Sequence, residues 1–161
     1  MNDLPDVTDL PEVIDLLAVA TAVGSAAVGG VYLAFSVMVL PAFRRLPAKD
    51  ATAAMREINL RAERGAFIAF FSVTLLLSIA LGATVIGQLS SSTGVLYLVG
   101  GILSLASAVV TVVANVPLNN KLERDGVSFW PQYEKRWGRL NSFRASLALG
   151  AVGVVASAAG V

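Results

Sequence analysis

Cysteine and histidine are both absent from this sequence. Without thiolate or imidazole, the softer ligands of zinc, copper and haem sites are missing, no disulfide forms, and cysteine usage says nothing about redox compartment. Charge is scarce as well: Asp, Glu, Lys and Arg make up 14% of the chain, against about a quarter in ordinary soluble domains. Hydrophobic residues reach 56% and the mean hydropathy is +0.74, which excludes a water-soluble globule. No phosphate-binding Gly-rich loop, nucleophile elbow or metal-binding box is present, and no cofactor or metal is expected.

What the chain does have is long uncharged runs. Residues 16–43 carry no charge, nor do residues 65–120 or 145–161, and a helix crossing a bilayer needs roughly 20 apolar residues. The second run holds two such helices, divided at the polar break Gln88-Leu89-Ser90-Ser91-Ser92-Thr93-Gly94. The last run is slightly short and reaches full length if residues 140–144 add a first turn, with Arg144 snorkelling. The expectation is an all-α membrane protein: one domain over 1–161, an up-down bundle of four transmembrane helices over 16–41, 66–88, 94–117 and 141–160.

All 12 Lys and Arg fall between the first and second spans or between the third and fourth. The positive-inside rule therefore places both loops in the cytoplasm and both termini of this multi-pass cell-membrane protein outside. The tail before the first span holds Asp3, Asp6, Asp9, Glu12 and Asp15 without a basic residue, so the n-region of a signal peptide is missing and the first span is expected to persist. Residues 49–64 (KDATAAMREINLRAER) set Ala53, Ile58 and Leu60 among charges and read as a short amphipathic helix along the inner interface. Arg44-Arg45 and Lys135-Arg136 can hold anionic lipid headgroups; nucleic acid is not an expected partner. Small residues such as Gly24, Gly100, Gly101, Gly150 and Gly153 suit close helix packing. They assign no dimer motif, and a homo-oligomer stays open.

No ionisable residue sits in mid-span, so the usual mark of proton-coupled transport is lacking. Polar and aromatic groups gather instead at one end of the helices, in blocks at Phe35-Ser36, Ile58-Asn59, Asn115 to Asn119, and Trp130 to Arg144. Asn115 and Asn119 share a helix face, and Pro117 between them frees a carbonyl near residue 113. Trp137, Asn141 and Arg144 recur at i, i+4 and i+7. Two readings stand side by side here: a ligand pocket, or caps and interfacial anchors at a helix end.

Taken together, FSVMVLPAFRRLP, MREIN, NVPLNNKL and YEKRWGRLNSFRA resemble, in order and spacing, the anthrone-oxygenase-like family of small four-helix membrane proteins. The resemblance implies such a bundle and, for its few characterised members, cofactor-independent oxidation of an anthrone to an anthraquinone by O2. It implies a binding set of Phe35, Asn59, Asn115 and Asn119 and a catalytic set of Trp137, Asn141 and Arg144. Many members carry a His directly after the last Asn, where this chain has Ser142. Forming the electron-rich enolate needs a base, and with no His the candidates are Glu57, Glu134 and Asp125, none placed in a pocket by the sequence, or the substrate's own phenolate. The partners on this reading are membrane lipid, a planar aromatic molecule and O2. The alternative is a non-enzymatic scaffold, complex subunit or lipid-binding protein.

Overall fold

The computed structural model describes residues 10–160, so Asp3, Asp6 and Asp9 of the acidic tail lie outside the described residues. Among the described residues every regular element is helical: α1 (Leu10–Ala34), α2 (Leu40–Phe43), α3 (Ala48–Arg64), α4 (Ala66–Val85), α5 (Ser92–Val110), α6 (Val116–Asp125) and α7 (Trp130–Ala159). Glu12 and Asp15 are already part of α1, and α7 starts well before residue 141, so both helices outrun the apolar runs that mark them in sequence. The amphipathic segment forms α3. Three helical stretches are long and apolar enough to cross a membrane: Leu10–Phe43, Ala66–Gln88 and Ser92–Ala159.

The pattern of burial is inverted relative to a soluble protein. Large apolar side chains such as Leu16, Phe70, Leu76 and Ile79 face outward, while the helix contacts are lined by Ala18, Thr21, Ser25, Ser78, Ser104 and Ala148. Small and hydroxylated residues let backbones approach where lipid tails offer no competing hydrophobic drive. Helix α1 packs on α4 and α7, and α5 packs on α4 and α7. A Cβ placed on Gly100 would lie 2.6 Å from Val155 Cγ2, so a side chain there would force the buried Val155 to shift where α5 meets α7. Ser104 Oγ accepts from Ser25 at 2.8 Å and Ser78 at 2.7 Å, tying α1, α4 and α5 at one level.

Two π-turns interrupt this regularity, at Phe35–Val39 and Thr111–Asn115. Each ends two residues before a proline, Pro41 or Pro117. A proline ring clashes with the carbonyl four residues back, and widening the preceding turn relieves that clash while the i to i−5 bonds Leu40 N–H to Phe35 O and Val116 N–H to Thr111 O keep the backbone paired. The third apolar stretch doubles back beyond α6: Gly126, at φ 62°, ends that helix in the left-handed region that glycine tolerates. Ser107 Oγ then donates to Arg144 O at 2.9 Å, with α5 and α7 running antiparallel.

Candidate functional site

The helix ends that carry the basic residues hold an aromatic core of their own. Trp130, Tyr133 and Trp137 recur at i, i+3 and i+7 along α7 and stack in sequence, with centroids 5.8 and 6.0 Å apart. Leu40, Ala51, Met55, Leu122 and Phe129 complete it, so α2, α3 and α6 all dock on the first turns of α7. Phe35, brought round by its π-turn, meets Trp137 edge to face at 5.7 Å.

Beneath this core lies a cavity of about 180 Å³, walled by Tyr32, Phe35, Phe67, Phe71 and Trp137. Helix α3 supplies Met55, Ile58, Asn59, Ala62 and Glu63, a single stripe at helical spacing. Thr111 and Asn119 come from the α5 to α6 segment and Arg144 from α7.

Arg144 is 6% exposed and has no carboxylate partner among the described residues. A buried charge needs compensation, and here neutral groups provide it. Asn141 Oδ1 accepts from Nη2 at 2.8 Å and Nε at 3.2 Å, and Thr111 Oγ1 accepts from Nη1 at 3.2 Å. The guanidinium carbon stands 3.8 Å from the Tyr32 ring centroid and 5.1 Å from that of Trp137, within cation–π range. Asn141, fully buried, is fixed in turn: its Nδ2 donates to Tyr32 O at 2.6 Å and Ser36 Oγ at 2.8 Å. These neutral contacts orient the guanidinium and leave its positive charge without an anion.

Of the residues singled out in sequence, Phe35, Asn59, Asn119, Trp137 and Arg144 line the cavity together. Asn141 does not; it reaches the cavity through Arg144. Asn115 is buried on the last position of the π-turn, with Nδ2 3.5 Å from Trp137 O and no partner for Oδ1. Trp137 Nε1 is likewise buried without a hydrogen-bond partner. Asn119 Oδ1 accepts from Tyr133 at 2.9 Å. Sequence reasoning missed Tyr32, Thr111 and Glu63, although each sits three or four residues from a residue it did find, Phe35, Asn115 and Asn59 respectively.

The three carboxylates considered as bases sit elsewhere, each in an ion pair: Glu57 with Arg61 at 2.7 Å, Glu134 with Arg44 at 2.5 Å, and Asp125 with Lys121. None lines the aromatic cavity. Ser142 is also outside it, hydrogen-bonded to Ser36 at 3.0 Å in a separate open groove with Arg44, Glu134, Lys135 and Arg139. Among the described residues no three acidic side chains gather as a metal would require.

The family model described as anthrone oxygenase matches residues 61–154, more than half of the chain. No curated protein and no solved structure matches it.

Proposed function

The chain belongs to the anthrone oxygenase family, and from that premise we propose that it is a membrane protein that takes a planar hydroxylated aromatic molecule into the cavity at Arg144 and oxidises it with O2 without a cofactor. The supporting observation is the buried guanidinium, without a counter-anion among the described residues and set among aromatic walls. A hydroxyanthrone carries its carbonyl and phenolic oxygens on one edge of a flat ring system. Tyr32, Phe35 and Trp137 suit the rings, and Arg144 suits the oxygens, above all when loss of a C–H proton makes one of them an enolate. The enolate then reacts with O2, and loss of water gives the anthraquinone.

The proposed arrangement in the membrane is a four-helix up-down bundle in which α1, α4, α5 and α7 each cross once, because Ser92–Ala159 doubles back on itself. All 12 basic residues then lie on the cavity side, which the positive-inside rule assigns to the cytoplasm, with both termini outside. Substrate partitions from lipid into the cavity. A second reading, a non-enzymatic lipid-binding protein or complex subunit, draws support from the open groove beside the Arg44–Glu134 pair, where Lys135 and Arg139 suit an anionic headgroup.

The deciding experiment compares wild type, Arg144→Gln and Asn115→Leu in nanodiscs for binding of 1,8-dihydroxyanthrone and for O2 consumption. Wild type is expected to bind and consume O2, and Arg144→Gln to lose about 100-fold or more in rate, as for removal of one oxyanion-stabilising donor. If wild type does neither, the oxygenase reading falls and the lipid-binding one takes its place; if both variants match wild type, the assignment of residues is wrong.

A further inference from the structure

We propose that Glu63 is the base of this site, the group that removes the C–H proton of the bound anthrone. The proposal rests on the oxygenase reading above and adds to it the proton acceptor that a chain without histidine has to find elsewhere. Among the described residues, Glu63 is the one acidic residue that lines the aromatic cavity. It does so as the last member of the α3 stripe Met55, Ile58, Asn59, Ala62 and Glu63, which places it on the helix face that walls the cavity. The alternatives are occupied: Glu57, Glu134 and Asp125 pair with Arg61, Arg44 and Lys121, whereas no ion pair involves Glu63 among the described residues.

The placement of charge suits the reaction. Arg144 is buried and Glu63 is exposed, so the cavity has a cationic inner side and a carboxylate at its rim. In an anthrone the reactive methylene lies across the central ring from the carbonyl. A molecule seated with its carbonyl and phenolic edge toward Arg144 directs its methylene away from the guanidinium, toward the rim. The C–H bond breaks, its proton passes to a Glu63 carboxylate oxygen, and the electron pair delocalises onto the carbonyl oxygen facing Arg144. O2 adds at the methylene carbon and the resulting peroxide takes that proton back. Glu63 then removes the second C–H proton as the O–O bond breaks, a carbonyl forms, and hydroxide leaves to take up this proton as water. The sum is CH2 plus O2 giving C=O plus H2O, and Glu63 ends as it began. A histidine at position 142 would lie in the other groove, beside Ser36, so its absence takes no base from this cavity.

The test separates proton removal from oxidation. Full-length protein in nanodiscs is mixed, without O2, with 1,8-dihydroxyanthrone deuterated at the methylene, and wash-out of deuterium is followed by NMR alongside affinity from tryptophan quenching. Wild type is expected to accelerate wash-out over protein-free nanodiscs. Glu63→Gln should bind with unchanged affinity and lose about 100-fold or more of that acceleration, the usual contribution of a positioned general base. Glu63→Asp should retain part of it, and Glu57→Gln all of it. Wash-out at the wild-type rate in a Glu63→Gln protein that binds anthrone overturns the proposal and leaves the oxygenase reading standing. So does a wild type that binds without accelerating wash-out, or a Glu63→Gln that loses binding while Glu63→Asp binds normally but washes out no faster than protein-free nanodiscs. A wild type that binds no anthrone overturns both.

Discussion

At the scale of single residues, the site turns on how one guanidinium is kept charged and unpaired inside the protein. Asn141 is the residue that allows it, accepting two of its N–H bonds while contributing no negative charge. Asn141→Asp places a carboxylate at that point, where it forms an ion pair with Arg144 and takes up the charge a ligand would meet. The expected outcome is a protein whose affinity for 1,8-dihydroxyanthrone falls at least tenfold and whose thermal midpoint in detergent falls as well, because the second carboxylate oxygen replaces the Nδ2 donor to Tyr32 O and Ser36 Oγ. Asn141→Leu instead leaves two buried N–H groups of Arg144 without their acceptor, and should destabilise the protein by about 1–3 kcal/mol, the cost of leaving buried polar groups without partners. Both are read by thermal unfolding with tryptophan fluorescence. The i, i+4, i+7 recurrence of Trp137, Asn141 and Arg144 was legible in the sequence; the division of labour among them was not. Which of three groups on one face touches a ligand depends on the neighbouring helices, and here Tyr32 and Ser36 of the first apolar stretch claim Asn141.

At the scale of elements, α3 is the wall that carries Asn59 and Glu63, and its hold on the rest of the protein includes a pair with α6. Arg56 Nη2 lies 2.5 Å from Glu123 Oε1, and that hydrogen bond holds the Glu123 carboxyl below its ordinary range. A carboxyl lowered in the folded state stabilises the contact above its unfolded value and loses that contribution as pH falls through the lower, folded one. The α3 to α6 distance, measured between nitroxides at positions 53 and 124, should therefore broaden on acidification below the usual carboxylate range. In Arg56→Gln it should start broad and change less. Charge alternation over residues 49–64 made α3 legible as an amphipathic helix, because its solvated face shows in the sequence. The π-turns were not legible. A proline in an apolar run signals a local break, but whether the chain kinks, stops or widens by one residue is decided by what the turn packs against, here Phe35 on Trp137 and Thr111 under Arg144.

At the scale of the whole molecule, the apolar runs made the long apolar helices legible, since a face turned to lipid leaves its mark on composition. The ends of the helices were less legible: Glu12 and Asp15 extend α1, and 11 residues before position 141 belong to α7, because charged residues at a helix end go unnoticed by hydropathy. The proposed topology makes a direct prediction. A cysteine at Ser91 should react with an impermeant thiol reagent from outside intact cells and one at Ser128 should not, both being exposed in the protein; the reverse pattern would invert the orientation.

The central claim is that the aromatic cavity, rather than the groove beside Ser142, receives the substrate with its oxygens at Arg144. The measurement that meets it most directly is an experimental structure of the full chain in lipid with 1,8-dihydroxyanthrone bound under exclusion of O2. The account predicts the ring system between Phe35, Phe67 and Trp137, its oxygen edge within hydrogen-bond distance of the Arg144 guanidinium and its methylene toward Glu63. Density for the anthrone in the groove of Ser36, Arg139 and Ser142, or in the cavity with its oxygen edge turned away from Arg144, would contradict it.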